Sequence, residues 1–165
     1  MGTIVERVAE FLSKFFSQEM VTLIVAALPI SELRGALPLA LGIFHFPVSK
    51  AFVLSFVGNI LPIVPVLLFL NYISEYCMRY GWGNKFFNWW FKRTRKHSEI
   101  IEKYEVVGLA IFVGIPLPFT GAWSGCVAAY LLGIKFRYAL PAIVIGVLLA
   151  GIVVTLTTLG LIKIF

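Results

Sequence analysis

The sequence predicts an all-α integral membrane protein of two inverted repeats, each an amphipathic surface helix, a re-entrant helical hairpin and a transmembrane helix. Three observations lead there. The 165 residues are 60% hydrophobic with a mean hydropathy of +0.95, far above the roughly 45 to 50% apolar content of soluble domains. Two long apolar stretches are each interrupted at the centre by proline, glycine and polar residues. The two interruptions also match one another.

Size and charge narrow the class. A hydrocarbon core about 30 Å thick needs about 20 residues per helical crossing, so residues 1–165 form one polytopic domain with few crossings. The net charge is +6, and nine of the fourteen basic residues lie between Arg79 and Arg137. Such a local excess, flanked by tryptophans and apolar spans, fits membrane orientation and anionic lipid headgroups rather than nucleic acid. Cys77 and Cys126 have no metal or redox spacing and read as small apolar fillers. No cofactor or metal site is expected. The start of the sequence lacks the basic n-region of a signal peptide, and Glu6 stands where a myristoylation signal has Ser or Thr. Insertion is therefore expected to rely on the internal apolar segments.

In residues 3–17, Ile4, Val8, Phe11, Leu12, Phe15 and Phe16 share one helical face, with Glu6, Arg7, Glu10, Ser13 and Lys14 opposite. Too polar to span, this helix is expected to lie in the interface plane, the alternative being a helix packed on protein. The apolar arms 21–28 and 37–44 then flank Pro29-Ile30-Ser31-Glu32-Leu33-Arg34-Gly35-Ala36-Leu37-Pro38. Each arm is about 12 Å long at 1.5 Å per residue, under half the hydrocarbon core. Two such arms make a hairpin dipping to the midplane; a single spanning helix kinked at Pro29 is the alternative.

Residues 51–73 are long enough to span, with Asn59, Pro62 and Pro65 inside. Asn59 reads first as a polar contact between helices, and with Lys135 and Arg137 as a candidate headgroup contact. After a glycine turn at 81–84, the aromatic run 86–91 abuts the basic run 92–97, as the headgroup zone selects. A surface helix continues to Glu105. Residues 107–132 then repeat the broken design around Ile115-Pro116-Leu117-Pro118-Phe119-Thr120-Gly121-Ala122-Trp123-Ser124-Gly125, and 140–161 forms the last span.

Residues 26–36 align with 113–122 with one residue inserted, pairing Pro29 with Pro116 and Gly35-Ala36 with Gly121-Ala122. The repeats divide at 1–78 and 79–165. If each break is a hairpin, a repeat crosses the membrane once and the second copy starts on the opposite side, which gives inverted topology. Positive-inside counting leaves both topologies open: nine basic residues against four with hairpins, ten against three with four spans. Under the hairpin model the basic segment 79–105 is cytoplasmic.

The motifs Ser31-Glu32-Leu33-Arg34-Gly35-Ala36-Leu37-Pro38 and Ile115 to Gly125 resemble the prokaryotic small multidrug export family, a distant branch of the DedA/VTT superfamily of re-entrant-hairpin membrane proteins. The resemblance covers about residue 20 to the C-terminus. It implies two opposed hairpins meeting near the midplane of a prokaryotic plasma membrane, and a transport-like activity, since DedA relatives are linked to flipping polyprenyl phosphate carriers and to proton-dependent envelope homeostasis. Glu32 stands where DedA-like proteins carry an acidic residue. Their second-hairpin arginines have no counterpart here; Lys135 and Arg137 only follow that stretch, and Arg34 sits in the first.

The residues also support a mechanism by themselves. A charge at the centre of a membrane helix costs about 2.5 to 3.5 kcal/mol on insertion scales, so Glu32 and Arg34 persist only with compensation or a function. Half-helices starting near Gly35 and Gly121 offer N-termini that attract anions. Arg34 is a candidate phosphate clamp, Glu32 a candidate proton-coupling switch, and Ser31, Thr120, Ser124 and the backbone at Gly35, Gly121 and Gly125 neutral donors. Pro29, Pro38, Pro116 and Pro118 shape the breaks. The alternative role for the charged pair is to tie the two breaks together. The expected cargo is an anionic lipid carrier or small molecule, with multidrug export, lipid scrambling or a structural role as alternatives. No nucleophile with a base and no phosphate loop suggests an enzyme, and a unit this small can pair with a second copy.

Overall fold

The computed structural model describes residues 4–79, 99–117 and 120–164, so the aromatic and basic runs at 86–97, and Pro118, lie outside the described residues. The described residues form helices and turns with no strand. In order these are α1 (Ile4–Leu12), α2 (Gln18–Ala27), α3 (Glu32–Pro38) continued by a π turn (Leu39–Ile43), α4 (Val48–Ile60), α5 (Ile63–Arg79), α6 (Glu99–Gly114), α7 (Ala122–Leu132) and α8 (Phe136–Ile164).

Local chemistry sets most of these boundaries. Ser17 caps α2 by accepting the Met20 N–H at 3.4 Å, with Glu19 in the positive first turn. A residue before proline avoids the α region, and Leu28, ahead of Pro29, is extended at φ −71 and ψ 137, which ends α2. Pro38 has no N–H for the Arg34 carbonyl, and beyond it the helix widens into the π turn. Gly133, in the left-handed region at φ 71, closes α7 by donating to the Ala129 and Tyr130 carbonyls.

Two stretches are long and apolar enough to cross a membrane, Val48–Leu70 and Phe136–Leu161. The first is interrupted only at Leu61 and Pro62, between α4 and α5. Outward-facing Val53, Val57, Leu61, Val64 and Leu68 on one, and Ile145, Leu149, Ile152, Val153 and Leu156 on the other, give both an apolar exterior. The broken arms are short: α2 has 10 residues and α7 has 11.

The most extensive packing sets α6 along α8 and α2 along α4. Both seams close on a glycine. A Cβ on Gly58 would stand 2.6 Å from the Leu23 carbonyl oxygen and 2.8 Å from the Ala26 side chain. On Gly146 it would stand 2.7 Å from the Ala110 carbonyl oxygen and 2.6 Å from the Val113 side chain. Ala26 and Val113 are a pair that the alignment of the two breaks equates, and Leu23 and Ala110 lie three residues before them in the same register. The second arms cross over, α3 onto α8 and α7 onto α5. The main core gathers Leu33, Leu37, Ile63, Val113, Cys126, Ile143 and Val147, and a smaller cluster joins Ala9 of α1 to Val21, Val25 and Ala26 of α2.

Three boundaries differ from expectation. The first amphipathic helix stops at Leu12, leaving Phe11 and Phe15 exposed while Ala9 is buried in the cluster with α2, so α1 also packs on protein. The surface helix to Glu105 and the following arm are one helix, α6, because neither Pro nor a turn pair separates them and the exposed Gly108 is tolerated. The second arm of the first break starts at Glu32 rather than near Gly35: Pro29 ends the preceding helix early, and Gly35 lies within α3, its N–H bonded to the Ser31 carbonyl at 2.8 Å.

Candidate functional site

Glu32 opens α3 with φ 48, a left-handed conformation uncommon outside glycine that costs on the order of 1 to 2 kcal/mol. Its carboxylate lies at the first turn of α7, where Oε1 accepts the Trp123 backbone N–H at 3.3 Å. Gly121, the residue before α7, makes this approach feasible: a Cβ there would fall 1.9 Å from Glu32 Oε2. A carboxylate at a helix N-terminus is favoured both by unpaired N–H groups and by the helix dipole. The α7 N-terminus, expected to be open to a cargo anion, is occupied by the chain's own Glu32.

Arg34, two residues after the start of α3, reaches the second break. Its Nη1 donates to the Leu117 carbonyl, Nη2 donates to Thr120 Oγ1 at 3.3 Å, and Nη2 lies 4.0 Å from Glu32 Oε2. Thr120 organises the acceptor loop, taking the Leu117 N–H at 3.1 Å and placing its hydroxyl 2.7 Å from the Ile115 carbonyl oxygen. The indole N–H of Trp123 returns the link, donating to the Ala27 carbonyl at 3.2 Å at the end of α2. Ser31 turns inward to the Val25 carbonyl, and Ser124 bonds the Gly121 carbonyl at 3.2 Å.

Between the breaks opens a cleft of about 500 Å³ lined by Pro29, Ile30, Ser31, Glu32, Arg34, Thr120, Trp123 and Ser124. The Arg34 side chain is 25% exposed and that of Glu32 11%, so the more accessible charge is positive. Ile30, 88% exposed, forms an apolar lip, with Leu28, Ile115 and Leu117 exposed on the adjoining turns.

The structure thus unites six of the candidate residues, Pro29, Ser31, Glu32, Arg34, Thr120 and Ser124, and sets Gly121 behind Glu32. Others lie apart. Gly35 is inside α3, Pro38 is exposed at its end, and Pro116 belongs to the second break without lining the cleft. Gly125 packs into the core against Val113 and Ile143. Asn59, considered as a headgroup contact, is 3% exposed on the inner face of α4, out of reach of a headgroup. Lys135 and Arg137 sit at the exposed α7–α8 junction, where the Arg137 guanidinium lies 4.7 Å from the Tyr138 ring centre.

Trp123 and Ile30 also line the cleft, and no residue pattern singles them out. Trp123 stands within the second motif, but no spacing rule aims its backbone N–H at a carboxylate 91 residues earlier.

The family model described as "Putative small multi-drug export protein" matches residues 32–153. The chain belongs to this family. The matched region begins at Glu32 and takes in Arg34, Thr120 and Trp123, the residues that meet between the two breaks. Neither curated proteins nor solved structures gave a significant match.

Proposed function

We propose that this export-family protein is a membrane transporter of DedA type that moves an amphiphile with an anionic headgroup, of the polyprenyl phosphate class, through the cleft between its two breaks. One observation carries the reading: both charged side chains of the first break line a cleft with an apolar lip facing the uncharged second break, and the more exposed of them is Arg34. Arg34 engages two acceptors of the second break and retains further N–H groups for a phosphate oxygen. The lip of Ile30, Leu28 and Leu117 suits an acyl or prenyl chain. Glu32 is the candidate proton carrier, and membrane lipids are the surrounding partners.

The accompanying architecture is two inverted repeats, 1–78 and 79–165, with re-entrant hairpins formed by α2 with α3 and by the apolar half of α6 with α7. The equivalent glycine seams at Gly58 and Gly146 and the reciprocal crossing of α3 and α7 support it. In this topology the breaks meet near the midplane of a prokaryotic plasma membrane, segment 79–105 is cytoplasmic, and a homodimer is the proposed assembly. The protein acts as a transporter rather than an enzyme.

Reconstitution in liposomes with polyprenyl phosphate, following headgroup accessibility with and without a pH gradient, tests the function. Loss of movement in Arg34→Ala and of gradient dependence in Glu32→Gln is expected; unchanged transport in both overturns the reading. Export of organic cations is the second reading, favoured by the family description and by a carboxylate beside an indole in the cleft. Accumulation of a cationic dye in inverted vesicles, lost in Glu32→Gln but retained in Arg34→Ala, would select it.

A further inference from the structure

We infer that Glu32 is a carboxylate latch that pins the first break to the second, and that the two breaks separate when this carboxylate leaves the first turn of α7. The seat for it is built into both partners. On the α7 side, Gly121 leaves open the volume that the carboxylate fills, and the Trp123 N–H meets Oε1. On the α3 side, Glu32 holds a left-handed φ of 48 that relaxes once its first turn is free to rearrange.

The rest of the packing shows why movement would concentrate here. The α2–α4 and α6–α8 seams meet at backbone level through Gly58 and Gly146, with no space for a single carbon, so each pair moves as a unit. The joint between the breaks is instead made by side chains. Next to the core that Leu33 shares with Ala122 and Cys126, its polar part is the Glu32 and Arg34 contacts and the indole of Trp123 on the Ala27 carbonyl, all beside an open cleft. Polar bonds of this kind can exchange for water or a bound polar group at small net cost, whereas sliding a closed glycine seam cannot occur without opening the core. With the latch engaged, Glu32 is satisfied internally and Arg34 is tethered across the gap. With it released, Arg34 loses its neighbouring carboxylate and the α7 N–H groups face the cleft. The use made of this opening rests on the transport reading; the latch itself does not.

The test uses the full chain in lipid nanodiscs, with Cys77 and Cys126 replaced by alanine and spin labels at Ile30 and Leu117, one exposed position on each break. The expected result is one narrow interlabel distance with Glu32 present. A broadened distribution, lengthened by several ångströms, is expected in both Glu32→Gln and Gly121→Ala, the second of which removes the seat while keeping the carboxylate. A reference pair at Val57 and Ile152, on the outer faces of the spans, is expected to stay fixed. Superimposable distributions for Glu32→Gln and its parent overturn the latch, and so does an equal change at the reference pair, which would mean general loosening. If the distances shift as expected while the reconstituted protein moves no cargo, the latch stands and the transport reading falls.

Discussion

Glu32 occupies the space that a side chain on Gly121 would need, with Oε2 1.9 Å from the position of that missing Cβ. Two residues on different breaks therefore define one another's allowed size. Gly121→Ala is expected to destabilise the protein by about 1 to 3 kcal/mol, the usual cost of overpacking a closed site. In a Glu32→Ala background, where the carboxylate is gone, the same change is expected to cost much less. A double-mutant cycle in detergent, read by thermal or denaturant unfolding, checks the coupling; additive effects would show that the two residues do not share the space.

The glycine seams give a graded set of expectations. Gly58→Ala and Gly146→Ala each place a methyl under 3 Å from a carbonyl oxygen of the facing helix, so both are expected to destabilise by about 1 to 3 kcal/mol or more. Gly108→Ala serves as the control, since Gly108 lies in the interior of α6 with open space around it. There the substitution is expected to stabilise by about 0.5 to 1 kcal/mol through helix propensity alone. Unfolding of the three variants side by side is the measurement, and a similar loss at all three would argue against the close seams.

Those seams mark what the sequence could and could not convey. Composition, the two apolar spans and the positions of the breaks were legible, because hydropathy and proline act locally: Leu28 ahead of Pro29 ends α2 by its own backbone restriction. The start of α3 at Glu32 was not, since the sequence places the start of a half-helix near Gly35 and only the folded chain shows that residue bonded within the helix. The convergence of Arg34 with Thr120 was open as one of two roles, while the seating of Glu32 on α7 required three-dimensional register between arms 91 residues apart. Local rules carry no such register.

Ser55 on α4 is fully buried, and its hydroxyl has no hydrogen-bond partner. One turn further, Asn59 Oδ1 is likewise unpartnered. A buried polar group without a partner carries its desolvation cost uncompensated. Ser55→Ala, which removes the hydroxyl with almost no change of shape, is therefore expected to raise stability by about 1 kcal/mol, read as a higher unfolding temperature. A loss of similar size would instead show that an ordered water bridges the two side chains.

At the start of α2, Lys50 Nζ donates to Glu19 Oε1 at 2.7 Å and also lies 4.3 Å from the Phe46 ring centre. The lysine, aided by the backbone N–H of Glu19 and by Ser17, lowers the Glu19 pKa from 4.5 to about 2. Unfolding releases the carboxyl to its ordinary affinity, so between those two values the unfolded chain takes up a proton that the folded chain refuses. The pairing therefore contributes its full stabilisation above about pH 4.5 and loses it as the pH falls toward 2. Carboxyl carbon chemical shifts of Glu19 in detergent are expected to titrate near 2, and to return toward 4.5 in Lys50→Met. An ordinary titration with Lys50 present would mean that the bond is not held in solution, and that α2 and α4 are joined by the Gly58 seam without it.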